Sequence, residues 1–200
     1  MTRRMIFHHP LPLIPDAASA SGIRPVQMKR SFEELGYEVW EVTGYTKERG
    51  RLASEVRYAI RCGVRFDFCY SESSTMPMTM TNPTHLPTRP FLDVGFFRSL
   101  RRNGVPVGQF LRDIYWVFPN YRESLPFFKL RAALAAYEWD MRTLRHHVDR
   151  VFLPSLKVGE YINLGNVPIS ALEPGHGHAE PLPGPGEGVS LFYVGGIGSD

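Results

Sequence analysis

The apolar positions fall into short runs that alternate with helically spaced stretches. Met5, Ile6 and Phe7 predict a first strand over 5–8. A loop rich in Pro, Ala and Ser follows, ending at Gly22. Pro25 predicts a helix opening, Met28, Phe32 and Leu35 fall at helical spacing, and Gly36 predicts the stop. A second strand over 37–42 carries Val39, Trp40 and Val42 and ends at Gly44. A second helix over 47–61 aligns Leu52, Val56, Ala59 and Ile60, with Gly63 as its cap. A third strand over 66–70 runs into Ser71-Glu72-Ser73-Ser74. Prolines at 77, 83, 87 and 90 predict a long irregular loop over 75–90, of the kind that carries function. A helix over 91–102 stops at Asn103-Gly104, and a fourth strand over 105–111 leads into Arg112-Asp113-Ile114-Tyr115-Trp116. After Pro126, Phe127, Leu130, Leu134, Tyr137, Met141, Leu144 and Val148 alternate by three and four, which predicts a core-facing stripe. A fifth strand over 150–153 ends at Pro154-Ser155.

Five strands with intervening helices predict the α/β class, with a parallel sheet covered on both faces. Right-handed crossovers make this a Rossmann-like doubly wound domain over 1–172. The composition then shifts. Residues 173–188 carry Pro174, Pro181, Pro183 and Pro185 among five glycines, which predicts a linker. Residues 189–194 predict a strand that runs into Gly195-Gly196-Ile197-Gly198. Such a strand needs a helix and a sheet after it, so 189–200 is expected to open a second domain.

The chain has 200 residues, 43% hydrophobic and 22% charged, which excludes a wholly disordered chain. No apolar run approaches the roughly 18 residues of a transmembrane helix. The apolar start breaks at His8-His9-Pro10, too soon for a secretory signal, so a cytoplasmic location is expected. A net charge of +3 is too mild to point to nucleic acid. Arg98, Arg101 and Arg102 suit a solvated helix face, or an acidic ligand or membrane surface. Cys62 and Cys69 make no disulfide framework and are expected as buried reduced thiols.

In an open parallel sheet, ligands bind beyond the carboxyl ends of the strands. Gly22 is either a turn glycine or part of an anion site at a helix start. The three-glycine dinucleotide fingerprint is absent, which weighs against a nicotinamide enzyme. Glu72 fits either a sugar-binding carboxylate or base, or a cap for the next segment. Asp113 and Arg112 fit either an ion pair or a substrate contact. Tyr115 and Trp116 fit either a sugar platform or core packing. The histidines lack metal-ligand spacing, and no nucleophile elbow or Walker loop is present, so neither metal nor resident cofactor is expected.

Several blocks together resemble the N-terminal half of a group 1 (family 4) glycosyltransferase of the two-domain GT-B fold. They are Ser21-Gly22-Ile23-Arg24 and the stretch from Phe32 through Glu33, Glu34, Leu35 and Gly36 to Val39, with Tyr37 where the family usually has His. Residues 167–175 are similar to the family's hinge, and Phe192-Tyr193-Val194-Gly195-Gly196 to the opening of its nucleotide-sugar domain. Tyr70-Ser71-Glu72-Ser73-Ser74 and Asp113-Ile114-Tyr115-Trp116 look like blocks of bacterial cell-surface polysaccharide members. Where the family often has a histidine after the fourth strand, this chain has Arg112-Asp113.

The resemblance implies retaining transfer of a sugar from a nucleoside diphosphate donor to a hydroxyl acceptor, in polysaccharide or glycolipid synthesis. The nucleotide sugar is then a co-substrate, and no metal is obligatory. The N-terminal domain holds the acceptor, and a C-terminal domain of the same protein binds the donor, so residues 1–200 alone are expected to be inactive. Asp113 and Glu72 are the expected catalytic contacts. Ser21, Gly22, Arg112, His85 and Tyr115 are the expected substrate contacts, and Gly195 and Gly196 meet the diphosphate. A lipid-linked acceptor with peripheral membrane contact also follows from it. The competing expectations are another Rossmann-like enzyme and a non-catalytic binding or assembly module.

Overall fold

The structure is a computed structural model that describes residues 2–17 and 19–173. Its six strands are β1 (Arg4–His9), β2 (Glu38–Thr43), β3 (Phe68–Glu72), β4 (Val107–Phe110), β5 (Arg150–Leu153) and β6 (Ile169–Ala171). They form one all-parallel sheet in the order β2-β1-β3-β4-β5-β6. The helices are α1 (Ala20–Glu34), α2 (Thr46–Arg61), α3 (Leu92–Arg102), α4 (Pro119–Glu123) and α5 (Phe127–His147). The chain is therefore Rossmann-like and doubly wound, as its alternating pattern predicts.

The chain steps one way from β1 to β2, then back across β1 to β3 and onward to β6. Right-handed crossovers then put α1 on one face and α2, α3 and α5 on the other. Packing agrees. Met5, Phe7, Tyr70 and Phe110 meet Met28 and Phe32 of α1, while Ile6, Val42, Cys69, Val107 and Val151 face the other helices. The step reverses between β1 and β3, and an open sheet has its crevice at that switch point, beyond the carboxyl ends. Both faces carry helices, as expected, but they are not equally covered. Beyond α1, an apolar groove of about 590 Å³ lies over Phe68, Gly108, Phe152 and Leu172.

Glycine ends three helices as the pattern predicts. Gly36, Gly63 and Gly104 all have positive φ, and each is followed by a residue whose N–H reaches back to the last turn. That is a Schellman stop, which needs the left-handed conformation glycine adopts freely.

Four local expectations are corrected. First, α1 begins at Ala20, not Pro25, because Ser19 in an extended conformation caps it and accepts the N–H of Gly22. Pro25 sits inside the helix and deprives the Ser21 carbonyl of its helical donor. Second, β3 continues through Ser71 and Glu72, which pair with Gln109 and Phe110 of β4. Third, β6 lies within the segment read as a hinge and adds to the sheet beside β5. Fourth, the stripe of α5 is buried only from Ala133 onward, and Phe127 is 68% exposed. A helix of 21 residues is about 30 Å long, whereas the four residues of β5 span about 13 Å. α5 ends where β5 begins, so its first turns overrun the carboxyl edge of the sheet.

No described helix is long and apolar enough to cross a membrane. The linker expected over 173–188 lies, past Glu173, outside the described residues. So do the strand expected at 189–194 and Gly195 and Gly196.

Candidate functional site

Strand parity assembles the site. Side chains two apart share a face, and paired residues of parallel strands share it too. On the α1 face, the ends of β1, β3 and β4 present His9, Glu72 and, two residues past Phe110, Arg112. On the opposite face they present His8, Ser71 and Gln109, which are in register.

The α1-face set borders a cleft of about 330 Å³ at the switch point. His9 and Arg112 form part of its wall, Ser19, Ser21 and Gly22 at the start of α1 another, and Thr75 a third. Gly22 has a steric reason. A Cβ there would lie 2.5 Å from the Ala17 Cβ, so any side chain would push away the loop that walls the cleft. Gly22 does not precede the helix, as expected, but is its third residue. Its N–H is already engaged by Ser19.

Glu72 departs from the expected open carboxylate. It is fully buried, with Oε1 3.2 Å from Arg24 Nε and 3.1 Å from Arg112 Nη2. The Tyr70 hydroxyl donates to Oε2 at 3.3 Å. Arg24 also lies over the Phe110 ring at 3.9 Å. Burial raises the Glu72 carboxyl above its ordinary pKa, only partly offset by the two arginines. Glu72 thus acts as a counter-charge that positions two guanidinium groups, and it has no face toward a substrate.

Those guanidinium groups keep unused donors. Arg24 Nη2 and Arg112 Nε are buried without a hydrogen-bond partner among the described residues, whereas Arg24 Nε is spent on the ion pair with Glu72. His9 supplies the opposite chemistry. Burial lowers its pKa to about 4, so the ring is neutral at pH 7. Its Nδ1 lies 3.0 Å from the Leu11 carbonyl, which can only accept, so Nδ1 carries the proton. His9 Nε2 is therefore a bare acceptor, buried and unpartnered.

Asp113 is half-buried, one hydrogen bond from the cleft wall. Thr75 Oγ1 donates to its Oδ2 at 3.3 Å, and Oδ1 has no partner. Burial raises its pKa to about 6, against the pull of Thr75 and Arg112. The Tyr137 hydroxyl fixes the Thr75 carbonyl at 2.9 Å.

The opposite face holds a line of groups that looks like a nucleophile triad. His8 Nδ1 is 2.8 Å from Ser71 Oγ, and His8 Nε2 is 3.0 Å from Asp93 Oδ1. Arg49 clamps Asp93 through Nε at 2.8 Å and Nη2 at 3.0 Å. Ser71 is fully buried, as is His8, whose pKa burial lowers. No substrate carbonyl reaches such a serine, so this line is a structural tie. It joins β1 and β3 to α2 and α3, and Arg49 carries it to the Pro10, Gly44 and Met78 carbonyls.

Of the expected site residues, Ser21, Gly22 and Arg112 line the cleft, and Asp113 adjoins it. His85 does not line it. It is exposed, at φ 54°, beside the Met80 carbonyl. Tyr115 is 41% exposed just past Asp113, whereas Trp116 stacks on Tyr137 at 4.0 Å and belongs to the core. Arg98, Arg101 and Arg102 border a groove at the amino ends of β4 and β5, the edge away from the cleft. Arg101 is tied there to Asp149 and the His146 carbonyl. Sequence reasoning missed His9 and Thr75 as site residues, and Arg24 as the second partner of Glu72. Parity along β1 was the available signal for His9, because it puts His9 on the face of Met5 and Phe7. Among the described residues, no cluster of three or more His, Cys, Asp or Glu side chains is placed to hold a metal ion.

No protein-family model matches the chain, and no curated protein matches it in sequence.

Proposed function

We propose that this chain is the acceptor-side domain of a glycosyltransferase that moves a sugar from a nucleoside diphosphate donor to a hydroxyl group. One observation carries the reading. The cleft at the switch point is walled by Arg112, with one donor that has no partner, and by His9, with one bare acceptor, and Asp113 adjoins it behind Thr75. Arg112 suits phosphate oxygens. His9 Nε2 and Asp113 Oδ1 suit sugar hydroxyls. A bare phosphate site would have no use for the acceptors. A dinucleotide site would want a glycine-rich turn after β1, where this chain has a proline-rich loop.

In this reading, Asp113 is ionised at neutral pH, yet basic enough to take or orient the proton of an acceptor hydroxyl. Arg112 and the positive end of α1 stabilise charge that develops on the leaving diphosphate. A nucleotide-sugar domain follows in the same polypeptide, the nucleotide sugar serves as co-substrate, and the product is a polysaccharide or glycolipid formed with retention.

The test reads the gene past the codon for residue 200 and assays its whole product. A second α/β domain with a Glu-x7-Glu segment is expected, together with nucleoside diphosphate release from a panel of UDP-, GDP- and dTDP-sugars. Asp113→Asn should lower kcat by about 100-fold or more and remove the rising limb near pH 6. A whole product without sugar transfer, or a folded Asp113→Asn protein with full activity, overturns the proposal.

A further inference from the structure

We infer that the α4–α5 hairpin is a docking surface for an anionic lipid bilayer. No residue of α4 is buried, and the first buried residue of α5 is Ala133. Tyr121 anchors the hairpin against Tyr137 of the core, with ring centroids 6.0 Å apart, and Phe127 and Phe128 beyond it face solvent at the carboxyl edge of the sheet. Phe127 is 68% exposed, Phe128 85% and Phe118 44%. The rings of Phe127 and Phe128 meet edge to face at 5.5 Å and present one apolar knob. Neither joins a core cluster, so folding gains nothing from them.

The charges around the knob are one-sided. Arg122, Lys129 and Arg131 are exposed, and Glu123 is the one acid between residues 118 and 131. None of the three cations has an ion-pair partner among the described residues. Aromatic side chains with a fringe of Lys and Arg suit the bilayer interface, where rings enter the acyl boundary and cations meet lipid phosphates. The unpaired cations beside two exposed rings favour an anionic bilayer over a neutral apolar partner.

The hairpin and the cleft share the carboxyl edge of the sheet. Docking would hold the cleft near the bilayer surface, within reach of a hydroxyl on a lipid headgroup. That consequence rests on the proposed sugar transfer, but the docking does not. Its test involves no sugar chemistry.

The full chain is floated with vesicles of phosphatidylcholine alone and of phosphatidylcholine mixed with phosphatidylglycerol. Binding is expected to the mixed vesicles and to weaken at high salt. Replacing both Lys129 and Arg131 by Gln should cut partitioning about thirtyfold. Replacing both Phe127 and Phe128 by Ser should cut it at least about tenfold. Neither pair should change the melting temperature, because all four side chains are exposed. Phe128→Trp should be quenched by brominated acyl chains more than the wild-type tryptophans are. No flotation with the mixed vesicles overturns the inference, as does flotation that neither double variant weakens. A concentration-dependent dimer abolished by the Phe pair would assign the knob to a second copy and likewise overturn it.

Discussion

Asp93→Asn tests whether the buried tie behind the sheet holds the cleft in place. Arg49 is 1% exposed and Asp93 5%, and they meet through two hydrogen bonds. Burial alone would push the Asp93 carboxyl up, but Arg49 and His8 overcome that and hold it far below the usual range. The carboxylate is therefore ionised at pH 7. Asparagine keeps the shape and leaves Arg49 charged in the interior without a counter-ion. Removing one partner of a buried pair costs about 3–5 kcal/mol, a large part of the 5–15 kcal/mol typical of a whole domain. With a urea slope of roughly 2 kcal/mol per molar, the midpoint should fall by about 1.5–2.5 M. A lowered native pKa means that the contribution is present above about pH 4 and is lost as pH falls toward the native value. The wild type should thus lose this increment in acid, and the variant should not. Arg49→Met makes the cycle complete. The double variant should be less destabilised than the sum of the singles by about 2 kcal/mol or more. A midpoint shift below about 0.5 M, or additive singles, would refute the reasoning. Arg49 also holds the Pro10 carbonyl at 2.8 Å, where the wall of the cleft begins, so phosphate binding should weaken along with stability.

Two further outcomes follow from single contacts. Asp140 is buried, accepts the Met78 N–H at 2.8 Å, and has its pKa raised to about 8 by burial. A raised native pKa means that stability drops as pH climbs from about 4 to 8. Asp140→Asn should remove that slope and stabilise the protein at pH 8, as thermal melts across pH would report; an unchanged slope would show that the group does not hold its proton. Gly22→Ala puts a methyl group 2.5 Å from the Ala17 Cβ and should cost about 1–3 kcal/mol. Calorimetry with inorganic phosphate should show weaker binding, and an unaltered melt and affinity would mean that the loop yields freely.

Much of the fold was legible because its signals are local. Short apolar runs bounded by turn residues marked β1 to β5, and the helix-stopping glycines marked the ends of α1, α2 and α3. The misreadings had local competitors. Ser19 and Pro25 are both helix-start signals, and the cap prevailed because Ser19 could accept the Gly22 N–H. β6 has three residues, none of them buried, so it carries no alternation to read. Phe127 fits the stripe of α5 as well as Leu144 does. Only the length of the neighbouring strand leaves one in solvent and the other in the core.

Among the expected site residues, the division has the same cause. Ser21, Gly22 and Arg112 could be read as lying near the carboxyl edge, because chain order alone places them after strands or at a helix start. The state of Glu72 could not. Its partners, Arg24 and Arg112, lie 48 and 40 residues away in the chain, and meet it only when α1 packs across β3 and β4. The sequence by itself determined the strands, the helices and the doubly wound class, since periodicity and caps act within a few residues. Only the tertiary structure decided which polar groups are buried, paired or left without a partner. Those states depend on sheet register and on the desolvation imposed by distant segments.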